Sequence, residues 1–435
     1  MPQWRFFIAR LGRRIWFRAA LIGALSVLLA LMAPFIAPLI PYEFGKIGSS
    51  AVDNILTVLA SSMLAVTTFS LTAMVTAFSG ASQSGTPRAT ELLVEDAAAQ
   101  NALSTFLGAF LFSIVGIIAL KTGFYGVQGR AVLLIGTIGV IIWIVVVLLH
   151  WIGQLTHFGR MADTIERVED KARHALDLYK GPLDIEGKSN RHPPSDAVMS
   201  VCPSRTGYVA HVDRKRLSEI ADKCDIDVHL VAPSGTFVDR TRALVWLESE
   251  PSDEEECKEI ADKLRSRFTV SDARDFDQDP RFGVVVLGEI ASRALSPAVN
   301  DPGTAISVLS SGLRVFDTFI DHLNADDDEE TAVERGLDRL VEPGLSLEEM
   351  VRDLIVPIAR DGAALVEVHL RVQEVLGAVH ARLDGRTDAF RNIAREAFDR
   401  SMKALDDEID EQRLRDAHER AFGDTNPAGP FHRAR

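Results

Sequence analysis

Cysteine is scarce in this 435-residue chain: Cys202, Cys224 and Cys257 are the only three, they stand 22 and 33 residues apart, and no CxxC pair occurs. An odd count at that spacing excludes a disulfide framework and a cysteine-based zinc site, and fits free thiols in a reducing compartment. A Walker loop, a GxGxxG or GxSxG turn between strand and helix, and an HExxH pair are also missing; His369, His380 and His418 stand apart with no i, i+4 partner. The sequence therefore nominates no catalytic residue, no cofactor and no metal ligand. Positive charge in bulk is lacking too. The net charge is −14, split into +5 over residues 1–160 and −19 over the remainder, which excludes nucleic acid as a partner of the acidic half. Finally, four long apolar runs in the first third contain no Asp, Glu, Lys or Arg. A proton- or ion-coupled pump needs an ionisable group at depth, so that class is disfavoured.

Those runs are what the front of the chain consists of. Ala19 to Ile40 follows Arg5, Arg10, Arg13, Arg14 and Arg18; its 22 residues reach about 33 Å at 1.5 Å each, enough for a bilayer core and too long for a cleaved signal. Ile55 to Ser79 is the second, Leu103 to Leu120 the third and Ala131 to Ile152 the fourth, ending at an interfacial His150 and Trp151. In the second run Ser61, Ala65, Thr68, Thr72, Thr76 and Ser79 step by three and four, so hydroxyl and small side chains share one side of a helix. That stripe is read first as a packing seam and second as the wall of a pore. Basic residues concentrate before the first run and after the fourth, which places both termini in the cytoplasm. Between the second and third runs Thr86-Pro87 marks a helix start, and Arg88 beside it is a candidate for lipid phosphate or an internal pair.

Beyond the fourth run Phe158, Met161, Ile165, Val168, Ala172, Ala175 and Tyr179 alternate by three and four, a narrow seam that needs a partner. Either a second copy of the chain or another helix of the soluble half would serve, and self-association is expected. Gly181 to Ser195 is a polar linker, followed by four short β-like stretches: Val198 to Cys202, Tyr208 to Val212, Asp227 to Ala232 and Arg242 to Glu248. Arg214 to Cys224 between them is helical, and the turns are similar to those of small biotin- or lipoate-carrying barrels, a likeness of fold alone. Helices then run from Ser252 to Phe268, about Arg281 to Leu295, Pro302 to Leu323, along the stripe Leu347 to Ile358, and from Ala363 and Asp388 onward. Asp275, Asp277 and Asp279 begin like a calcium loop, but Pro280 and Val286 stand where Gly and Glu are required, so a solvated acidic turn is expected. Asp326 to Glu330 is a second acidic run, and Gly423 to Arg435 a loose tail.

The segment Ser296-Pro297-Ala298-Val299-Asn300-Asp301-Pro302 joins two of these helices: Pro297 stops the first, and Asp301 caps the second with Pro302 at its first position. With Asp279-Pro280-Arg281-Phe282-Gly283 before it and the four runs and Pro87-Arg88 upstream, the chain resembles a family of bacterial membrane proteins of the DUF2254 type, a domain of unknown function. That family's loop after the second span more often has an aromatic before Ser-Pro-Arg, where this chain has Gly85-Thr86. The resemblance implies a topology and no established activity. Two readings of the run stand side by side. It is a corner in which Ser296, Asn300 and Asp301 satisfy backbone groups, or a site in which Arg293, Ser296, Asn300, Asp301 and Thr304 hold an anionic small molecule.

The expected fold is mainly α: a four-helix transmembrane region (1–155), a stalk helix (156–180), a cytoplasmic α+β domain made of a small β module (196–250) and a C-terminal helical bundle (251–423), and a tail (424–435). The expected setting is the bacterial inner membrane, with the lipid bilayer and further copies of the chain as partners. A non-catalytic channel-like or signal-coupling role with a cytoplasmic regulatory domain comes first. A membrane-tethered enzyme or anion-binding protein using the 296–304 corner is second, and a scaffold for other proteins third.

Overall fold

The computed structural model describes residues 49–94, 96–123, 127–155, 159–187, 198–248, 253–326 and 339–423, with scattered helical positions between 20 and 32. The expected first span (19–40), most of the polar linker, the acidic run after Asp326 and the tail lie largely outside those residues. The chain is mainly helical, about 70% helix, with a small β content. It divides into two compact units, Met1–Thr164 and Ile165–Arg435.

The first unit contains α1 (Ser49–Ser84), α2 (Pro87–Val94), α3 (Ala97–Lys121) and α4 (Val127–Leu155). Three of these hold stretches long and apolar enough to cross a membrane among the described residues: Ala51–Gly80, Ala98–Lys121 and Gly129–Leu155. Helix α3 is the hub. Its Ala99, Ala102, Leu103, Phe106 and Ala109 meet Leu59, Met63 and Met74 of α1 and Ile144 and Trp151 of α4. A second cluster forms further along from Val52, Leu56, Phe112, Ala119 and Leu133. Gly116 permits it: a Cβ there would lie 3.0 Å from Leu56 Cδ1. Thr86 caps α2 by accepting from Ala89 N at 3.3 Å, and buried Asp96 caps α3 by accepting from Ala99 N at 2.7 Å.

The second unit begins within α5 (Met161–Leu178). Then come β1 (Leu183–Asp184), β2 (Met199–Val201), β3 (Gly207–Val212), α6 (Arg214–Cys224), β4 (Val228–Leu230), β5 (Phe237–Val238), β6 (Val245–Leu247), α7 (Glu254–Arg265) and β7 (Phe268–Ser271). Strands β2-β6-β4-β8 and β5-β3-β7 form two open sheets, with β8 at Leu340–Val341. Leu217 and Ala221 of α6 and Ile260, Ala261 and Leu264 of α7 share one core with Val209, Val228, Val245 and Leu247. The strands do not close on themselves, so the biotin- and lipoate-carrier likeness fails: its turns are present, but two amphipathic helices supply the cover that a barrel would give itself. The helix expected to reach Phe268 ends at Arg265, and Phe268–Ser271 crosses back to pair with β3. Its cap is Asp253, which accepts from Glu255 N.

The helical part follows: α8 (Pro280–Ala294), α9 (Pro302–Asp326), α10 (Leu347–Asp361, after β9 at Leu345–Ser346), α11 (Val366–Arg382), α12 (Ala389–Met402) and α13 (Glu408–Phe422). Leu347, Met350, Val351, Leu354, Ile355 and Ile358 are all fully buried, as their spacing predicts. The seam of α5 is buried as well: Ile165, Val168, Ala172 and Ala175 are at most 4% exposed within the single chain. A Cβ on Gly283 of α8 would lie 2.6 Å from Ala172 Cβ, so the two helices touch there. The seam was expected to self-associate; instead its own chain fills it.

Candidate functional site

Three places hold the residues that the sequence singled out. The first is the corner between α8 and α9. The Ser296 hydroxyl donates to Arg293 O at 2.6 Å, Val299 N and Asn300 N donate to Ser296 O at 3.0 and 2.9 Å, and Asp301 N donates to Ala294 O at 2.8 Å. Asn300 takes the left-handed conformation, φ +49°, which Asn tolerates better than a branched residue and which turns the chain into α9. Asp301 accepts from Thr304 N at 3.1 Å and from the Thr304 hydroxyl at 2.6 Å. That hydroxyl and the neighbouring amides hold the Asp301 carboxyl below the usual carboxylate range. The donors an anion would need at the start of α9 are thus engaged by the chain's own carboxylate. Arg293 sits half-buried in the last turn of α8.

The second place is the start of α8. Asp279, expected in a solvated turn, is 4% exposed. It caps the helix, accepting from Phe282 N at 3.1 Å, and takes both arms of Arg274 at 2.7 and 3.0 Å. Burial pushes its carboxyl up, while the Arg274 guanidinium and the Phe282 amide pull it back. Arg274 lies over the Phe282 ring at 4.9 Å. Gly235, φ +89°, passes so close that a Cβ would be 2.2 Å from Asp279 Oδ2. Arg281 bridges to Asp353 and Glu349 of α10. The Asp279-to-Gly283 run is therefore a joint: cap, N1 proline, bridging arginine, core ring and close-contact glycine in five consecutive positions. The sequence offered the run as part of the family resemblance, and Asp279-Pro280 has the form of a helix cap and first position.

The third place is the hydroxyl stripe of α1. Ser61, Thr68, Thr72, Thr76 and Ser79 are exposed in the single chain. The side chains of Ser61, Thr68 and Thr72 donate back to the carbonyls of Thr57, Leu64 and Thr68 at 3.0, 2.9 and 2.9 Å. No described helix of the chain covers the stripe. The polar bond between these helices falls elsewhere: Trp151 Nε1 of α4 donates to Ser70 Oγ of α1 at 3.0 Å, both residues being about 1% exposed. Trp151 is thus interior instead of interfacial, because Ser70 offers its indole N–H an acceptor. His150 and Arg88 are exposed. The corner and the joint lie at opposite ends of α8 in the second unit, and the hydroxyl stripe belongs to the first. Among the described residues no cluster of His, Cys, Asp and Glu could hold a metal ion.

Among the described residues, three helices long and apolar enough to cross a membrane, followed along the chain by an acidic unit of strands and helices, define a membrane protein. The chain belongs to the family described as "Predicted membrane protein (DUF2254)", matched over residues 12–378. It is similar to uncharacterized proteins of Mycobacterium bovis and of Mycobacterium tuberculosis, 28% identical over 166 residues, which is 37% of this chain. It spans about a third, 32%, of the length of those relatives. No solved structure matches it.

Proposed function

We propose that the protein is a non-catalytic coupling protein of the bacterial inner membrane, in which a state of the water-soluble unit reaches the membrane helices through α5. In this reading the chain crosses the membrane several times with both termini in the cytoplasm, and it assembles as a homo-oligomer. The responding surface is the hydroxyl stripe of α1: Ser61, Thr68, Thr72, Thr76 and Ser79.

One observation carries the reading, the way α5 is fastened. Glu169 holds Arg314 of α9 through two bonds of 2.7 and 2.5 Å, Arg173 donates to Thr318 at 3.1 Å, and Asp177 pairs with His322 at 3.0 Å. Each pair is separated by 145 positions, so α5 and α9 run in the same direction and in register. The end of the segment is tied as well, with Arg214 of α6 lying over the Tyr179 ring at 5.2 Å and bonded to Glu342 at 2.7 Å. On the membrane side Gly159, φ +82°, precedes α5 and sits against Ala77 of α1, where a Cβ would lie 3.2 Å from both Ala77 Cβ and Ala77 O. Ala77 follows Thr76 and stands two positions before Ser79 of the stripe.

The test uses full-length protein in liposomes, with its three cysteines replaced by serine and Ser79→Cys as a reporter. Arg314→Ala, which frees α5 from α9, is expected to change the maleimide labelling rate at position 79 at least twofold. An unchanged rate overturns the coupling. Should the output be permeation, ion flux from the same liposomes is lost on Thr72→Leu.

A further inference from the structure

Between α6 and α7 a cleft of about 430 Å³ opens on the surface of the acidic unit. Its walls carry Arg216 and Lys223 from α6, Lys263 from the last turn of α7 and Arg267 from the turn after it, against a single acid, Glu219. Ile220 and Cys224 complete the lining. Four cations around one cavity stand out in a segment whose net charge is −19. The helical period explains part of their convergence: Arg216, Ile220, Lys223 and Cys224 fall at i, i+4, i+7 and i+8 on one face of α6, while Lys263 stands in the last turn of α7 and Arg267 in the turn that follows it. Basic residues near helix C-termini also offset the helix dipole, and part of this charge does so: Arg267 Nε donates to Lys263 O at 3.2 Å. Dipole compensation needs no cavity and places no two helices' cations opposite one another. Lys263 bonds Glu259 at 2.6 Å and Arg216 lies 3.7 Å from Asp213, but both of these acids stand outside the cleft lining.

We infer that this cleft binds a small phosphate-bearing anion of nucleotide size. A volume of this order suits a nucleotide, with phosphates among the four cations and an apolar ring against Ile220. The same chemistry would take the phosphate of a lipid headgroup. The site deepens the coupling reading, and rests on it only in supplying that pathway's input. Arg214 opens the helix that bears Arg216 and Lys223 and itself covers Tyr179 at the end of the α5 segment, so an anion drawn into the cleft acts on the element tied to α5.

Cys224 makes the site testable in full-length protein, because a bound anion shields its sulfur, while Cys202 and Cys257 lie outside the cleft lining and serve as internal standards. Alkylation by N-ethylmaleimide is followed at each cysteine by peptide mass spectrometry, in neutral detergent, with millimolar metal-free ATP or inorganic phosphate. The expected result is Cys224 alkylation slowed at least fivefold by ATP, with the other two rates unchanged, and protection lost in Arg216→Glu/Lys223→Glu. Both residues are exposed, so the fold is retained; Arg216→Gln/Lys223→Gln is the milder pair, with the same loss expected. Vesicles of phosphatidylcholine with and without phosphatidylglycerol identify the source. Protection by the anionic lipid alone assigns a headgroup, and protection by ATP alone assigns a soluble nucleotide. Protection by none of these anions, equal slowing at all three cysteines, or protection that survives both double variants overturns the site. The readout requires no movement of the membrane helices, so it can fail while the Ser79→Cys reporter responds, and the reverse.

Discussion

Asp279 and Arg274 show how a polar pair becomes structural. Asp279 is buried and takes two bonds from the partly exposed Arg274, so removing the arginine leaves a buried carboxyl without its cation. Arg274→Ala is expected to destabilise the protein by about 3 to 5 kcal/mol, read by thermal or chemical unfolding of the full chain. Arg205→Ala, which removes a partner of the largely exposed Asp272, should leave the midpoint where it is. Gly283→Ala is expected to cost about 1 to 3 kcal/mol through its clash with Ala172, whereas Gly136→Ala, with nothing within 4 Å, should not destabilise. His369 is fully buried, its Nε2 bonded to Ala359 O at 3.3 Å, and burial lowers its pKa from the ordinary 6.5 to about 4. Between those values the unfolded state holds a proton that the folded state refuses. The contribution is therefore complete above pH 6.5 and lost as pH falls to about 4, roughly 3 kcal/mol in all. His369→Gln should flatten that part of a plot of unfolding midpoint against pH. An unchanged slope would mean that other groups dominate acid unfolding.

At the level of elements, local signals served well where the chain talks to its near neighbours. Helix α6 spans the residues its pattern predicts, Asp301 caps α9 with Pro302 at the first position, and Thr86-Pro87 opens α2. The strands β7, β8 and β9 were not legible, because two to four residues show no period and their partners are distant: Val228 pairs with Leu340 and Leu183 with Leu345. Burial was the harder quantity. Asp279 reads as solvated because acids usually are, and only Arg274 and Gly235, brought in by the fold, make its interior position tolerable. Likewise the hydroxyl period of α1 signals a face, but the bond that ties α1 to α4 comes from Ser70, which lies off that stripe. Ser70→Ala is expected to lower the thermal midpoint in detergent, by about 1 kcal/mol in stability, while Thr68→Ala, whose hydroxyl returns to its own helix, is close to neutral.

For the molecule as a whole, the charge split seen in the sequence separates an apolar, slightly basic region from an acidic one, and the contact structure divides the chain near the same place. The proposed topology gives a direct expectation: in intact spheroplasts an impermeant maleimide should leave Cys257 unlabelled, and in inside-out vesicles it should label it. Labelling from outside would reverse the orientation. The polar rungs between α5 and α9 have a further mechanical meaning. Sliding α5 by one turn would bring Arg173 opposite Arg314, two guanidinium groups face to face, and would break both bonds between Glu169 and Arg314. The pair therefore has no second notch to slip into: within the second unit α5 and α9 hold one register, as two meshed racks that cannot skip a tooth, and the proposed coupling would use that rigidity.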